Sequence, residues 1–325
     1  MRIQDLHILP KFRDCWSYLY VEHCVIEQQD KAIAIIDARG KVPVPCATLC
    51  LLMLGPGTKI THAAITALAD NGCLVYWCGE EGVRFYAYGR GKTRNADNLM
   101  HQAKLWGDMR SRLDVVMRLY RMRFDEQLDD SLGLPQIRGK EGVRVREAYA
   151  RASRETGVEW KGRSYDRGSW SDADPVNRAL SAANSCLYGL CQAAILALGL
   201  SPALGFIHTG KMLSFVYDIA DLYKTDVSIP VAFRSVLEGS EHLESRARRA
   251  CRDVFKERQM LKKTVTDIQF ALRLQPDKRT DQGSLFDSDA ALPGSLWDPE
   301  AGSVEGGQNF GEQSLNGDQD GSADT

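Results

Sequence analysis

The stretch that decides the fold is VNRALSAANSCLYGLCQAAILALG, residues 176–199, which places apolar side chains three and four positions apart. This spacing predicts a helix with an apolar face, because side chains at i, i+3 and i+4 lie on the same side of a helix. The same spacing recurs on both sides of it, at residues 100–124, 141–153, 213–224 and 244–272. The sequence therefore predicts an all-α domain over residues 94–279.

Upstream of these helices, residues 1–93 are rich in β-strand patterns. KAIAIID at 31–37 alternates, TLCLLML at 48–54 is typical of a buried strand, and CLVYWC joined through GEEG to VRFYAYG predicts a hairpin. One helix is predicted among the strands, at 61–72. The polar segment at 89–98 is the predicted linker, so the fold class is α+β multidomain, a β-rich domain followed by a helical one.

Charge is distributed unevenly along the chain. The net charge is −2, but residues 280–325 contain ten Asp and Glu and no Lys or Arg, so this tail carries −10 and residues 1–279 carry +8. An acidic, glycine-rich tail without periodicity cannot bury enough apolar surface to fold, and we expect it to be disordered. The basic remainder is typical of a protein that binds a polyanion, although many cytoplasmic enzymes carry as much charge without such a partner.

Cysteine spacing, hydropathy and loop motifs argue against three other classes of protein. The nine cysteines have no CxxC pair and no zinc-like Cys/His spacing, so we expect reduced core thiols in a cytoplasmic protein. The N-terminus lacks the features of a secretory signal, and no apolar run approaches the roughly 20 residues that span a bilayer. A P-loop is not supported, because GRGKT has Tyr86 where the motif needs glycine and GFIHTGKM has Met212 where it needs a hydroxyl.

Residues 205–224, GFIHTGKMLSFVYDIADLYK, place His208, Asp218 and Asp221 in an otherwise apolar run. On a helix the two aspartates project from one face, and two buried carboxylates on one face need a cation between them. Because Gly210 allows a bend, the imidazole can approach the carboxylates, and one ring nitrogen with hard oxygens suits Mg²⁺ or Mn²⁺ better than zinc. The alternative is a solvated helix face beside a core histidine.

A third carboxylate is needed to complete such a site. Glu141 in QIRGKEGVRVREAYA is the main candidate, since it begins a predicted helix within a basic cluster typical of phosphate binding. Glu147 is an alternative on spacing grounds, and either residue could instead form an exposed ion pair. The basic residues of this cluster are Arg138, Lys140, Arg144 and Arg146.

Several blocks of the chain, taken in their order and spacing, resemble one protein family. They are MLGPGTKITHAAI, WCGEEGVRFYAYG, QIRGKEGVRVREAYA, SYDRGSW, SAANSCLYGLCQAAILALG, GFIHTGKMLSFVYDIADLYK and RRACRDVFK. Through them the chain is similar to the CRISPR-associated adaptation integrases, closest to the subtype I-E (Cascade-type) form, over nearly all of residues 10–275. The resemblance implies a β-sandwich-like N-terminal dimerisation domain, a helical catalytic domain, a homodimer and double-stranded DNA as substrate. It also implies a protein partner, a dimer of a small ferredoxin-like CRISPR-associated protein, flanked by two such homodimers.

The same resemblance implies the reaction and its residues. The 3′-hydroxyl of a prespacer attacks a phosphodiester at the leader–repeat boundary of the CRISPR array, and a second 3′-hydroxyl attacks the opposite strand. Glu141, His208 and Asp221 match the family's ligands for Mg²⁺ or Mn²⁺, and Asp218 is a further acidic residue of the catalytic site. Lys211, close to the ligand histidine, is expected to contact phosphate during catalysis. The implied DNA contacts are Lys59, Arg84, Arg138, Arg163, Lys211 and Arg248.

Two other mechanisms remain open from the sequence. Covalent catalysis by Tyr165, Tyr188 or Tyr217 would make the protein similar to the tyrosine recombinases, which use a basic cluster and no metal. A non-catalytic protein that shapes DNA would use the basic region for binding only. An aromatic side chain at the end of the duplex is also expected, with Tyr20 as its candidate.

Overall fold

The computed structural model describes residues 17–30, 32–46, 49–80, 85–89, 96–163, 174–274, 296–299 and 302–304. The N-terminal elements are β1 (Ser17–Val21), β2 (Val25–Gln29), β3 (Ala32–Asp37), β4 (Gly40–Pro45), β5 (Leu49–Leu54), β6 (Lys59–Ile60), α1 (His62–Asp70), β7 (Leu74–Cys78) and β8 (Phe85–Gly89). The helices that follow are α2 (Asp97–Gly107), α3 (Met109–Arg121), α4 (Leu134–Thr156), α5 (Pro175–Ala197), α6 (Ser214–Ala220), α7 (Ser228–Leu237), α8 (Leu243–Glu257) and α9 (Met260–Leu272). The predicted α+β order, β-rich and then helical, is confirmed.

The N-terminal strands form two sheets that pack on each other. The first has the order β1-β5-β7-β8, in which β1, β5 and β7 are parallel and β8 completes the predicted hairpin with β7. The second has the order β4-β3-β2-β6, with β6 parallel to β2 and the other pairs antiparallel. Leu52 and Leu54 of the first sheet share one buried cluster with Ile26 and Ile33 of the second and with Leu68 of α1. This packing confirms the β-sandwich-like arrangement.

Strands β5 and β7 of the first sheet are buried on their other face as well. Leu51 alternates with Leu52 along β5. Together with Leu74 and Tyr76 of β7, it belongs to the buried cluster that contains the helical core. The Tyr76 hydroxyl donates a hydrogen bond to the backbone oxygen of Gly189 in α5 at 3.1 Å. A sheet covered on both faces needs apolar side chains at successive positions, which explains the continuous apolar runs of β5 and β7. The β-rich and helical regions therefore share part of one core.

Helix α5 is the centre of the helical region and packs against α6, α7, α8 and α9. It has 23 residues and contains an 18-residue window with a mean hydropathy of 1.3, so it is long and apolar enough to cross a membrane, contrary to the expectation that no apolar run has this length. However, 72% of this apolar window is buried inside the protein, so its hydropathy is explained by its place in the core. The cysteines found free and buried, as expected of core thiols, are Cys24, Cys46, Cys73, Cys78, Cys186, Cys191 and Cys251.

Residues 100–124 form two helices rather than the single helix that their periodicity predicts. Asp108 ends α2 and caps α3, because its carboxylate accepts a hydrogen bond from the Ser111 N–H at 2.8 Å. The break turns the chain so that Trp106 of α2 and Arg112 of α3 lie together, 5.0 Å apart from ring centroid to guanidinium carbon.

Helices α4 and α6 also have bounds that differ from the predicted ones. Helix α4 begins at Leu134, so Glu141 lies inside it, and the prediction that Glu141 begins a helix is wrong. The earlier start is stabilised by Gln136, whose side chain accepts the Gly133 N–H at 2.7 Å. Helix α6 ends at Ala220, which makes Asp221 its C-cap residue rather than part of a longer helix.

The predicted linker and tail lie mostly outside the described residues. The domain boundary at residue 93 and the expected disorder of the tail therefore stay predictions. Within the tail the structure describes strands β9 (Leu296–Asp298) and β10 (Gly302–Val304), which pair antiparallel and leave Trp297 80% exposed.

Candidate active site

His208 is held in place by a buried carboxylate from the next helix. Asp218 of α6 is 0% exposed, and its two oxygens accept hydrogen bonds from the backbone N–H groups of Phe206 (2.6 Å), Ile207 (3.1 Å) and His208 (2.8 Å). The same carboxylate lies 2.8 Å from Nδ1 of the His208 ring. Asp218 thus fixes both the loop and the imidazole that the loop carries.

These contacts decide which nitrogen of His208 is available. Because a carboxylate oxygen only accepts hydrogen bonds, the Nδ1 contact is an N–H donation, and in a neutral imidazole the lone pair is then on Nε2. Nε2 lies 3.9 Å from Oδ2 of Asp221, and the His208 side chain is 42% exposed. The structure therefore places an available imidazole nitrogen beside a second carboxylate. Asp218, being fully enclosed, is a positioning residue and does not itself face a substrate.

Two glycines allow the loop to take this path. A Cβ at Gly205 would clash with the carbonyl oxygen of His208, so the close approach of the two chain segments requires glycine. Gly210 has φ +81, which L side chains rarely adopt, and it makes the bend predicted from the sequence. The loop is then closed by Ser214, whose hydroxyl accepts the Lys211 N–H at 3.1 Å.

The carboxylates of Glu141 and Asp221 are joined by a buried arginine. Arg123, which follows α3, has Nη1 3.1 Å from Oε1 of Glu141 and Nη2 3.5 Å from Oδ2 of Asp221. The three side chains are 4%, 13% and 18% exposed respectively. Arg123 therefore bridges Glu141 and Asp221, whereas the cation predicted from the sequence lies between Asp218 and Asp221 and stays a prediction.

Two more cations surround these acids. Arg144 donates to both oxygens of Glu141, at 3.0 and 3.4 Å, and to the Thr225 hydroxyl at 2.8 Å. Lys224 lies 2.6 Å from Oδ1 of Asp221. Burial alone would lower the pKa of Lys224, but the Asp221 carboxylate and the Tyr188 hydroxyl together outweigh it and raise that pKa above its usual range.

The loop before His208 is supported from behind by α2 and α3. Gln102 is fully buried and donates to the backbone oxygens of Ser201 (3.0 Å) and Leu204 (3.1 Å). The Trp106 indole N–H donates to the Gly205 oxygen at 3.0 Å, and Arg112 donates to the Phe206 oxygen at 3.2 Å. Sequence reasoning missed these residues, because a polar side chain inside an amphipathic helix gives no signal of the distant backbone that it contacts.

The residues predicted to contact DNA lie on several elements. Lys211 is exposed in the His208 loop, and Lys59 is exposed on β6. Arg138 is exposed on α4, with Nε 3.4 Å from the Tyr120 hydroxyl, whereas Arg163 is half-buried and donates to the Ser181 hydroxyl of α5 at 3.3 Å. The remaining two are Arg248, half-buried on α8, and Arg84, which lies outside the described residues.

The aromatic candidates are also placed by the structure. Tyr20 packs against the core and against the backbone of Gly55, and its hydroxyl donates to Glu22 at 2.6 Å. Burial raises the pKa of Tyr188, an effect that the nearby Lys224 partly offsets. The Tyr217 ring lies edge-on to His208, with centroids 5.8 Å apart. Tyr165 lies outside the described residues.

Of the predicted acidic site, the structure brings His208, Asp218 and Asp221 into contact and links Glu141 to them through Arg123. Among the described residues, no group of three or more His, Cys, Asp and Glu side chains is close enough to hold one metal ion. The predicted ligands are therefore neighbours around a basic side chain, and not a closed coordination sphere. Glu147, the alternative to Glu141, is exposed on α4.

Comparison with known proteins identifies the family. The family model described as "CRISPR associated protein Cas1" matches residues 119–242, a range that includes Arg123, Glu141, His208 and Asp221. The CRISPR-associated endonuclease Cas1 2 of Thermus thermophilus is 57% identical over 309 residues, which are 95% of this chain and 94% of the relative. The chain belongs to the Cas1 family. A second Cas1 relative, the CRISPR-associated endonuclease Cas1 of Escherichia coli, is 41% identical over 268 residues, or 81% of this chain and 88% of the relative.

Solved Cas1 structures have the same fold. A crystal structure of a TtCas1–DNA complex matches with a TM-score of 0.75 at 59% identity, covering 82% of this chain and 100% of that one. A Cas1 protein from Thermotoga maritima matches with a TM-score of 0.55 at 15% identity, covering 83% and 98%, which shows the fold alone. The family named from the sequence blocks is thereby confirmed.

Proposed function

We propose that this Cas1 protein is a CRISPR adaptation integrase. It is a divalent-metal-dependent DNA endonuclease and transesterase that inserts prespacer DNA into the CRISPR array, by attack of a 3′-hydroxyl at the leader–repeat boundary. The observation that carries the proposal is the arrangement of His208, which Asp218 turns so that Nε2 lies beside Asp221. Membership of a family whose relatives are CRISPR-associated endonucleases supports it.

His208 and Asp221 are placed so that they fit a shared hard divalent cation. A buried carboxylate that accepts Nδ1–H of a histidine is the usual support of a ligating imidazole, and Asp218 provides it. Nε2 of His208 and Oδ2 of Asp221 are 3.9 Å apart. Two ligands each about 2.1 Å from one ion lie between about 3 and 4.2 Å apart, so this pair can share an ion. Glu141 is the nearby third carboxylate, and an imidazole with carboxylates suits Mg²⁺ or Mn²⁺.

In this proposal Glu141, His208 and Asp221 hold the ion. Bound there, the ion would make the attacking hydroxyl more acidic and stabilise the charge that develops at phosphorus. Asp218 keeps the histidine in the ligating tautomer. Lys211, exposed three residues after His208, is proposed to bind a phosphate of the reacting strand.

Binding of double-stranded DNA is assigned to the basic part of the chain. Residues 1–279 carry a formal charge of +8, which attracts the phosphate backbone without reading sequence. The proposed phosphate contacts are Lys59, Arg84, Arg138, Arg163, Lys211 and Arg248. The TtCas1–DNA complex supports this assignment by analogy, since that relative binds DNA.

The finer assignments rest on the sequence blocks. We infer a homodimer formed through residues 1–93, a dimer of a small ferredoxin-like CRISPR-associated protein as partner, a cytoplasmic location and membership of subtype I-E. Light scattering of the protein alone and with the purified partner tests the two assemblies. The genes beside the coding sequence test the subtype, because a Cascade operon is expected there.

An integration assay tests the proposed function. The protein is incubated with its small partner, a prespacer duplex and a supercoiled plasmid carrying a CRISPR array, in Mg²⁺, Mn²⁺ or chelator. We expect strand transfer only with metal, and none with His208→Ala, Asp221→Asn or Glu141→Gln, because each change removes one proposed ligand. Asp226→Asn is the matched control, since Asp226 is an exposed carboxylate five positions after Asp221.

Three results would contradict the proposal. Strand transfer in chelator, or by Asp221→Asn at the control rate, excludes the metal site. A covalent protein–DNA adduct that survives denaturation indicates tyrosine catalysis, which the burial of Tyr188 disfavours because it opposes ionisation of the hydroxyl. DNA binding that is equal in chelator and metal, with no strand transfer under any condition, indicates an architectural protein.

A further inference from the structure

Arg123 is a buried charge at the centre of the candidate site that sequence reasoning did not single out. Its side chain is 4% exposed, and its guanidinium carbon lies 4.7 Å from the centroid of the Tyr120 ring. It reaches Glu141 of α4 with one terminal nitrogen and Asp221 after α6 with the other, at 3.1 and 3.5 Å. Arg123 therefore connects three parts of the helical domain through the two carboxylates.

The bonding of Arg123 is unusually incomplete for a buried guanidinium. Only Nη1 makes a hydrogen bond, to Glu141, whereas Nε and Nη2 are buried without a hydrogen-bond partner among the described residues. The neighbouring Arg144 differs, because all three of its nitrogens donate to Glu141 or Thr225. Burying a charge with unused donors is costly, and it persists only where the surrounding anions compensate for it. Here the compensating anions are the proposed metal ligands.

We propose that Arg123 is the cation shared by both carboxylates, whereas Arg144 and Lys224 each contact only one of them, and that a divalent ion binds in competition with Arg123. In the metal-free protein Arg123 neutralises the repulsion between Glu141 and Asp221 and holds both carboxylates near His208. An ion bound there would neutralise the two carboxylates in place of Arg123. The Nη2–Asp221 contact, which is the longer of the two at 3.5 Å, would then break. The inference rests on the proposed metal site, and it makes Arg123 a positioning residue that sets metal affinity.

The signs of the charges explain why we expect Arg123 to compete with the ion for the carboxylates and not to assist its binding. The guanidinium of Arg123 already bridges Glu141 and Asp221. A divalent ion bound between the same carboxylates would lie within a few ångströms of it, and both groups are positively charged. The effective dielectric constant in this region is about 20, so the two charges repel each other. This repulsion lowers the affinity of the site for the ion. Replacing Arg123 by a neutral residue removes the repulsion, so the affinity should rise. A residue that merely helped to build the site would have the opposite effect, since its removal would loosen the ligands.

The test is Mn²⁺ affinity of the full chain, measured by electron paramagnetic resonance of the free ion during titration. We expect Arg123→Gln, which keeps an N–H donor for Glu141 but loses the charge, to bind Mn²⁺ at least about tenfold more tightly than the unaltered protein. Arg123→Lys should stay near the original affinity because it keeps the charge. Arg121→Gln is the matched control, since Arg121 pairs with exposed Asp130 at 3.1 Å, and it should change nothing.

Thermal unfolding provides a second readout that needs no catalysis. In chelator Arg123→Gln should melt below the unaltered protein, because two carboxylates lose their shared cation, and added Mn²⁺ should raise its melting temperature more than it raises that of the original. If Arg123→Gln does not fold, Arg123→Met is used in its place with Mn²⁺ present from the start of refolding. Unchanged or weaker Mn²⁺ binding by the neutral variant overturns the inference.

Asp221→Asn separates this inference from the proposed function. If Mn²⁺ binding is lost in Asp221→Asn but equal in Arg123→Gln and the original protein, the metal site stands and the competition is wrong. If Asp221→Asn binds Mn²⁺ as well as the original protein, the metal site itself is wrong.

Discussion

Replacing Asp218 by asparagine isolates the contribution of one buried negative charge. The substitution preserves shape, but one of the two oxygens becomes an amide that can no longer accept. If the amide replaces Oδ2, it faces the N–H groups of Phe206 and Ile207, and if it replaces Oδ1, it faces the N–H and Nδ1 of His208. The first orientation loses two of the four hydrogen bonds, and the second loses the His208 backbone bond and keeps the ring contact only if the imidazole moves its lone pair to Nδ1. In both, the remaining bonds go to an uncharged acceptor and are weaker.

The size of the effect follows from these contacts. Hydrogen bonds to a charged group contribute about 1.5–3 kcal/mol each, and Asp218 is 0% exposed, so solvent does not replace the lost or weakened bonds. We therefore expect the free energy of unfolding to fall by about 3–6 kcal/mol, a large share of the roughly 5–15 kcal/mol that is typical of folded domains. Because the histidine loses the group that fixes its tautomer, Mn²⁺ affinity should fall by about 10–100-fold.

The assay is urea unfolding followed by circular dichroism, in chelator, with Mn²⁺ titration of the same samples. Asp226→Asn is the control, because it makes the same chemical change at an exposed position of the neighbouring turn. The reasoning is refuted if Asp218→Asn unfolds at the same urea concentration as the control and binds Mn²⁺ with unchanged affinity. A lower urea midpoint with unchanged Mn²⁺ affinity would show that Asp218 stabilises the fold. It would refute the idea that Asp218 positions His208 for metal binding.

Two further predictions concern DNA. Lys211→Ala and Arg84→Ala should weaken binding, and each should lower the slope of log affinity against log salt by about 0.9, because each removes one proposed phosphate contact; an unchanged slope in a filter-binding titration would place that residue off the DNA. Truncation after Arg279 removes a segment of charge −10 and should raise non-specific DNA affinity at low salt, with little effect once the Debye length falls to about 8 Å, while metal-dependent integration is kept. Loss of co-elution with the small partner protein on truncation would instead indicate that the tail is a docking segment.

Much of the fold could be predicted because its elements are encoded locally. Thr61 caps α1 by accepting the Ala64 N–H at 3.3 Å, as its position before an apolar helix predicts. The continuous apolar run of β5 predicts a buried strand, because both of its faces are covered, and β7 is predicted as one arm of a hairpin. Boundaries were less predictable. Asp108 splits one periodic segment into two helices without interrupting its periodicity, and the start of α4 depends on a contact between Gly133 and Gln136 rather than on hydropathy.

By itself the sequence determined the helical and β-rich halves, the charge of the tail and the group His208, Asp218 and Asp221. Helical spacing relates the two aspartates, and the bend at Gly210 relates His208 to them. Only the tertiary structure decided their different roles. It encloses Asp218 behind His208, leaves Asp221 at the end of α6, and brings Arg123 from the end of α3 to bridge Glu141 and Asp221. The physical reason is that a buried charge is tolerated only where packing supplies its partners, and those partners come from helices that are distant in the chain.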